Sequence, residues 1–204
     1  LKPVLEETLA EFNNVEIVFS DVMKQKISDV ENKLGKEYIM VANLPYYITT
    51  PIIMRFIENA KNIKAMVIMV QEEVAMRLAS KAGDSDYGAI TVGINLRGSA
   101  QLVIHVPRDK FTPPPNVDSA VVKIVMDKDK FVGVDFNAVR DVVRCAFSSR
   151  RKMLINNLMN GYKLSRQNAE KVLFDAGIDL TVRGENLSES QYVALAKVLN
   201  KKDI

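Results

Sequence analysis

Short apolar or β-branched runs at 15–19, 38–42, 65–70, 102–106 and 117–126 are interleaved with helical patterns, and beyond Gly133 no strand pattern returns. That switch constrains the fold more than any other feature. Strands alternating with helices predict a mainly parallel α/β sheet with its ligand sites at the strands' carboxyl ends. The run at 117–126 alternates clearly and is predicted to pair antiparallel with the run before it. Helices are predicted over 51–60 and 71–81, with Thr50 capping the first ahead of Pro51.

Residues 127–133, Asp-Lys-Asp-Lys-Phe-Val-Gly, are polar, end in glycine and read as a linker. Beyond them three apolar stripes have helical spacing: Val139, Val142, Val143 and Ala146; Leu154, Ile155 and Leu158; and Ala169, Val172, Leu173 and Ala176, which stops at Gly177. Ser188 and Gln191 have capping-box spacing, Leu187 and Tyr192 staple spacing, and Leu195, Ala196 and Leu199 form the face to be buried. The expected division is therefore a partial α/β domain at 1–126, a linker at 127–133 and a helical domain at 134–204.

Composition narrows the function classes. With 48% hydrophobic and 26% charged residues in 204, the chain is predicted to be an ordinary globular protein with one sizeable core, or one core and a small appendage. No apolar run approaches the roughly 20 residues that span a bilayer, and the first residues do not resemble a secretory leader, so a cytoplasmic protein without membrane contact is expected. The single cysteine, Cys145, excludes an intrachain disulfide and a cysteine metal cluster, leaving a small buried hydrophobe. The single histidine, His105, lies in the apolar run 102–106 and is expected to be structural; no metal is expected. From residue 134 onward, 12 Lys and Arg face 8 Asp and Glu, whereas the preceding residues hold 16 against 17. A basic excess confined to the last third favours a phosphate backbone as partner.

Asn43-Leu44-Pro45-Tyr46 follows the run 38–42, putting an amide, backbone carbonyls and an aromatic ring at a strand's carboxyl end. The exocyclic amine of adenine is a poor nucleophile because its lone pair is delocalised into the ring. The Asn43 side-chain oxygen and the Leu44 carbonyl can accept hydrogen bonds from its N–H groups. Pro45 fixes the turn, and Tyr46 offers a face on which a flipped base stacks. A second loop, Phe111-Thr112-Pro113-Pro114-Pro115-Asn116-Val117-Asp118-Ser119, is stiffened by three prolines and presents Phe111 as a second aromatic wall.

Together with Ala146-Phe147-Ser148-Ser149-Arg150-Arg151-Lys152 and Arg183-Gly184-Glu185-Asn186-Leu187, these segments resemble the bacterial small-subunit rRNA adenine dimethyltransferases, collinearly over essentially the whole chain. The resemblance implies a Rossmann-like methyltransferase domain followed by a small all-α domain. It also implies transfer of methyl groups from S-adenosylmethionine to N6 of two adjacent adenosines in a hairpin loop near the 3′ end of 16S rRNA, within the assembling small subunit. A monomer is expected. By position, Asn43, Leu44, Pro45, Tyr46 and Phe111 form the catalytic set, and Asp21, Val22 and Asn43 bind the cofactor. Arg140, Arg144 and Arg151 are expected near one helical face with Phe147, and with Arg150, Lys152 and Arg183 they form the rRNA-binding set.

The pattern departs from the family at its start. The strand, glycine-rich loop and second strand that open the family's domain have no counterpart, and Gly35 is the only nearby glycine. An N-terminally truncated catalytic domain is therefore expected, inactive alone, with residues 1–36 rearranged, mobile or paired elsewhere. The sequence also accommodates two alternative functions: a non-catalytic rRNA-binding assembly factor and a related large-subunit rRNA adenine methyltransferase.

Overall fold

The computed structural model describes residues 2–200. Leu1 and residues 201–204, assigned above to the ends of the two expected domains, lie outside the described residues. In chain order the elements are α1 (Lys2–Thr8), α2 (Ile27–Leu34), β1 (Tyr38–Asn43), α3 (Thr49–Asn59), β2 (Ile63–Gln71), α4 (Glu72–Ala79), α5 (Ala89–Asn95), β3 (Gly98–Val106) and β4 (Ser119–Met126). Four helices follow: α6 (Phe136–Ala146), α7 (Leu154–Tyr162), α8 (Arg166–Asp175) and α9 (Glu189–Leu199).

The sheet has the order β1-β2-β4-β3. β1 and β2 are parallel, joined by the α3 crossover, while β4 runs antiparallel to both β2 and β3. The expected hairpin of β3 and β4 is present, and β1, β2 and β3 run in one direction, with β4 alone reversed and inserted between β2 and β3. The reason is the short 107–118 loop, which turns the chain straight back. The two central strands read as near-continuous apolar runs, and Met66, Ile68, Val70, Ala120, Val122 and Ile124 are fully buried.

The run 15–19 forms no strand, and Val18 and Phe19 are 58% and 50% exposed. Among the described residues no strand pairs with the outer edge of β1, and this segment's backbone joins no ladder. α1 buries no residue. Residues 23–34 are held more firmly. The Arg55 guanidinium donates to the Met23 and Gln25 carbonyls, and Glu31 of α2 accepts the Lys61 and Asn62 N–H groups at 2.9 and 2.8 Å. The Tyr38 hydroxyl lies 3.3 Å from the same carboxylate, and burial, reinforced by that charge, pushes its pKa up to about 12.

α3 begins earlier than expected. A short helical turn at Tyr46–Ile48 leads into it, Ile48 occupies the N-cap without a side-chain bond, and Thr50 caps nothing. Thr49 instead donates its hydroxyl to the Pro45 carbonyl at 3.0 Å. Pro51 sits inside the first turn, where its missing N–H costs nothing. α4 runs close to its expected span, whereas α5, with β-branched residues and Gly93, carries no clear helical signal.

The helical part matches its stripes. Asp135 caps α6 through the Asn137 and Ala138 N–H groups, and Gly177 ends α8 with a φ of 68°, a left-handed conformation open to glycine. At α9 the capping box is complete, the Ser188 N–H donating to Gln191 Oε1 at 3.0 Å and the Gln191 N–H to Ser188 Oγ at 3.4 Å. Leu187 and Tyr192 are fully buried beside it. The helical core also takes in Tyr87, Val92 and Leu96 from before the 127–133 stretch. Ile94, on the same helix as Val92, packs into the sheet core.

The 127–133 stretch is tied down at several points. The Asp127 N–H donates to the Arg97 carbonyl at 2.8 Å, Lys130 Nζ to the Gly98 carbonyl at 2.9 Å, and Lys128 Nζ lies 2.8 Å from Glu37 at the start of β1. Lys64 Nζ lies 2.8 Å from the other Glu37 oxygen. Hydrogen bonds from Lys128 first and Lys64 second hold the Glu37 carboxyl down to a pKa of about 2. A depressed carboxylate stabilises the fold above its unfolded value of 4.5 and loses that contribution as pH falls through about 2. NMR titration should give Glu37 a midpoint near 2, returning toward 4.5 in the Lys64→Ala/Lys128→Ala double variant; a midpoint already near 4.5 in the unmutated chain would show that the tie is not formed.

Candidate active site and nucleic-acid interface

Strand register brings the sequence's aromatic and polar turns to one end of the sheet. Asn43 pairs with Met69 near the end of β2, Gln71 with Ser119, and Val106 with Ser119, so β1, β2 and β3 end where β4 begins. Asn43 is exposed, while Leu44 is buried and its N–H donates to the Met69 carbonyl at 3.4 Å. The Pro45 carbonyl accepts both the Ile48 N–H and the Thr49 hydroxyl. The Tyr46 hydroxyl lies 2.8 Å from Ser119 Oγ, and Ser119 is fully buried. The half-buried Tyr46 ring is thus anchored at its polar tip to a central strand. Its neighbour Tyr47 is 87% exposed, a second aromatic face that the doubled tyrosine of the sequence signals.

The loop carrying Phe111 closes on itself at the same sheet end. The Arg108 N–H donates to Asp118 Oδ1 at 2.9 Å, Arg108 Nη1 to the Asn116 carbonyl at 3.2 Å, and the Glu72 N–H to the Asp118 carbonyl at 3.1 Å. Phe111 is half-buried. His105, expected to be structural, lies in its apolar strand but is not covered by the core. β3 is an edge strand, and on it His105 is exposed, with Nδ1 2.8 Å from Glu72 Oε1 and Nε2 3.8 Å from Asp118 Oδ2. It braces the base of the Phe111 loop.

Asp21 and Val22 are both exposed and lie in a turn, not at a strand end. Asp21 Oδ1 accepts the Met23 N–H at 2.9 Å and the Asp21 carbonyl accepts the Lys24 N–H at 3.0 Å. One carboxylate oxygen is therefore committed to the turn itself.

The expected basic face divides in two. α6 ends at Ala146, so Arg140 and Arg144 stand on the helix while Arg151 and Lys152, both exposed, fall on the following loop. One shared helical face for Arg140, Arg144, Phe147 and Arg151 is corrected by that termination. Phe147 packs against the helical core, its ring centroid 6.2 Å from Tyr87 and 6.3 Å from Tyr192. Arg150 donates to the Ser85 and Tyr87 carbonyls at 2.7 and 3.0 Å and to Glu185 at 3.2 Å, joining the two parts of the chain. Arg183 is exposed on the neighbouring loop, where the Val182 carbonyl accepts the Leu154 N–H at 2.8 Å. Cys145 is only half-buried; its thiol donates to the Asn157 carbonyl, and burial pushes its pKa up.

Among the described residues no group of three or more His, Cys, Asp or Glu side chains is placed to hold a metal ion. No described helix is long and apolar enough to cross a membrane.

Residues 1–201 match the family described as Ribosomal RNA adenine dimethylase. Proteins named Ribosomal RNA small subunit methyltransferase A, from Geobacillus sp. (strain WCH70) and Bacillus cereus (strain B4264), are 41% and 39% identical to this chain. Each alignment covers 98% of it, and 71% and 70% of the relatives. Among solved structures, a dimethyladenosine transferase from Plasmodium falciparum superposes with a TM-score of 0.82 at 27% identity, covering 100% of this chain and 79% of that one. The 23S rRNA methyltransferase ErmE, at 23% identity and a TM-score of 0.69 over 98% of this chain and 78% of its own, shares the fold. The mixed sheet and its helices are thus a Rossmann-like methyltransferase fold with a helical region behind it.

Because Arg150 spends its guanidinium on two backbone carbonyls and Glu185, Arg150→Ala should act on stability. Charged donors to carbonyls contribute about 1.5–3 kcal/mol when well buried, and partial exposure here reduces the expected loss to about 1–2 kcal/mol. Urea unfolding measures it; an unchanged midpoint together with a flatter salt dependence of RNA binding would instead make Arg150 a phosphate contact.

Proposed function

The chain belongs to the ribosomal RNA adenine dimethylase family, and from that premise we propose that the exposed turn at Asn43 is where N6 of each of two adjacent adenosines, in the hairpin loop near the 3′ end of 16S rRNA, receives its methyl groups. The observation that carries this is the pairing of an exposed Asn43 with a Tyr46 ring anchored to buried Ser119 at the sheet's carboxyl end. The Asn43 oxygen and the Leu44 carbonyl accept the amine's two N–H groups, turning its lone pair out of the ring plane. As transfer proceeds the nitrogen gains positive charge, and these oriented oxygens stabilise it. Tyr46 stacks on the base from one side, Phe111 closes the other, and Pro45 holds the turn between them. The proton leaves to water.

The family's cofactor class is S-adenosylmethionine, and its bound sulfonium supplies an already activated methyl group. The residues present fit its adenine end. Asp21 keeps one carboxylate oxygen free of the Met23 N–H to accept an amine edge, Val22 is an exposed apolar surface beside it, and Asn43 lies at the sheet end.

We read residues 1–126 as the partial methyltransferase domain and 134–204 as the rRNA-binding domain, joined at 127–133, acting as a monomer on the assembling small subunit in the cytoplasm. Arg140 and Arg144 on α6, with Arg151, Lys152 and Arg183 on the adjoining loops, supply the phosphate contacts, and Phe147 and Arg150 hold those loops in place.

In the enzyme completed with the family's glycine-rich loop, Asn43→Ala should cut turnover on small subunits by about 10²–10³-fold, the loss expected for one oriented acceptor of developing charge, with rRNA affinity retained. Methyl transfer within a few-fold of the unmutated enzyme would remove Asn43 from this role. Arg144→Ala with Arg151→Ala should weaken rRNA association and flatten the slope of log affinity against log salt by about 1.4–1.8 for two phosphates, leaving cofactor affinity unchanged; an unaltered slope would show that these arginines face elsewhere.

A further inference from the structure

A cavity of about 500 Å3 lies between α3, α5 and α6, apart from the acceptor turn but continuous with the helix that follows it. It opens beside Thr50 and Pro51, at the start of α3, and runs along one face of that helix past Met54 and Glu58. Arg140 and Arg144, one turn apart on α6, stand on its far side. Met54, Ile90 and Phe136 give it apolar walls.

Charge in this groove is lopsided and only partly used. Four guanidinium groups line it against the single carboxylate of Glu58. Arg55 is spent on the Met23 and Gln25 carbonyls. Arg97 stacks on the Phe136 ring at 4.1 Å, and burial draws its pKa down against the opposing pull of Glu58. Arg144 is exposed. Arg140 Nε is buried and makes no hydrogen bond among the described residues, although the partly exposed guanidinium is ion-paired with Asp141 Oδ1 at 3.6 Å. A buried guanidinium N–H without an acceptor is costly unless a ligand supplies one.

Apolar walls with cations at one rim and an acceptor inside match a flat ring joined to an anion. A free phosphate would leave the walls unused, and a duplex could not enter, because its bases are paired inward. An unpaired nucleotide uses all three features, its base against side chains and its phosphate on arginine. The volume is in the range of small-molecule sites, about 300–1,000 Å3. We propose that this groove seats an unpaired rRNA nucleotide flanking the target hairpin, with its base against Met54 and Ile90, its amino edge toward Glu58 and its phosphate on Arg140 and Arg144. The proposal rests on the rRNA reading above and adds a second nucleotide seat to it.

Fluorescence anisotropy with two labelled RNAs tests it: the target hairpin alone, and the same hairpin with a short unpaired extension at both ends. The unmutated chain should bind the extended RNA about tenfold more tightly. Ala89→Trp, an exposed position on the groove's wall, should abolish that gain and leave affinity for the bare hairpin unchanged. Arg140→Gln should flatten the salt slope by about 0.7 more for the extended RNA than for the bare hairpin. Equal affinity of the unmutated chain for both RNAs, or a full gain retained by Ala89→Trp, would overturn the groove proposal while leaving the Asn43 reading to its own assay. Displacement of the extended RNA by an oligoglutamate peptide, but not by unlabelled single-stranded RNA of equal charge, would overturn it in favour of a protein occupant.

Discussion

Ser119 stands where three strands meet. Its backbone pairs with Gln71 of β2 and Val106 of β3, and its hydroxyl lies 2.8 Å from that of Tyr46. This contact depends on β4 entering the sheet antiparallel between β2 and β3. Had the chain crossed over by a helix after β3, β4 would begin at the opposite end of the sheet and Ser119 could not reach the Tyr46 hydroxyl. The antiparallel insertion sets the Tyr46 ring, the Phe111 loop and the two exposed edge strands in one step. Desolvating Ser119 completely also makes the hydroxyl pair hard to replace by water, which favours a single ring position.

Much of this was legible in the chain itself. The apolar runs of β1, β2, β3 and β4 and the stripes of α6 to α9 are strong periodic signals, because burial of one face dictates residue type there. The capping box at Ser188 is local chemistry and could be read directly. The failures have physical causes of a different kind. Val15, Val18 and Phe19 have strand propensity, but propensity does not supply a neighbouring strand. His105 sits among apolar residues, yet edge position decides whether such residues are covered, and edge position is a property of the topology. Arg150 looked like its neighbours Arg151 and Lys152, but the backbone bend after Ala146 turns it toward the Ser85 and Tyr87 carbonyls. The carbonyls it serves come from a segment more than sixty residues earlier, which no window of local sequence contains.

The site divides between elements of unequal rigidity. Asn43, Leu44 and Tyr46 hang on strand ends and a central-strand anchor, where position is fixed by ladder hydrogen bonds. Asp21 and Val22 sit in an exposed turn secured chiefly through Arg55 and the bonds of the turn itself. The acceptor side is therefore built on the framework, and the cofactor side on a segment leaning against it.

α5 takes part in both cores, with Ile94 turned to the sheet and Val92, together with the C-cap residue Leu96, to the helices. A seven-residue helix has little stability of its own, so it is helical only while both neighbours hold it. Loss of either core removes half of its support and exposes apolar surface of the other. Melting of the sheet and of the helical bundle should therefore be coupled through this helix, although their sequences read as separate units.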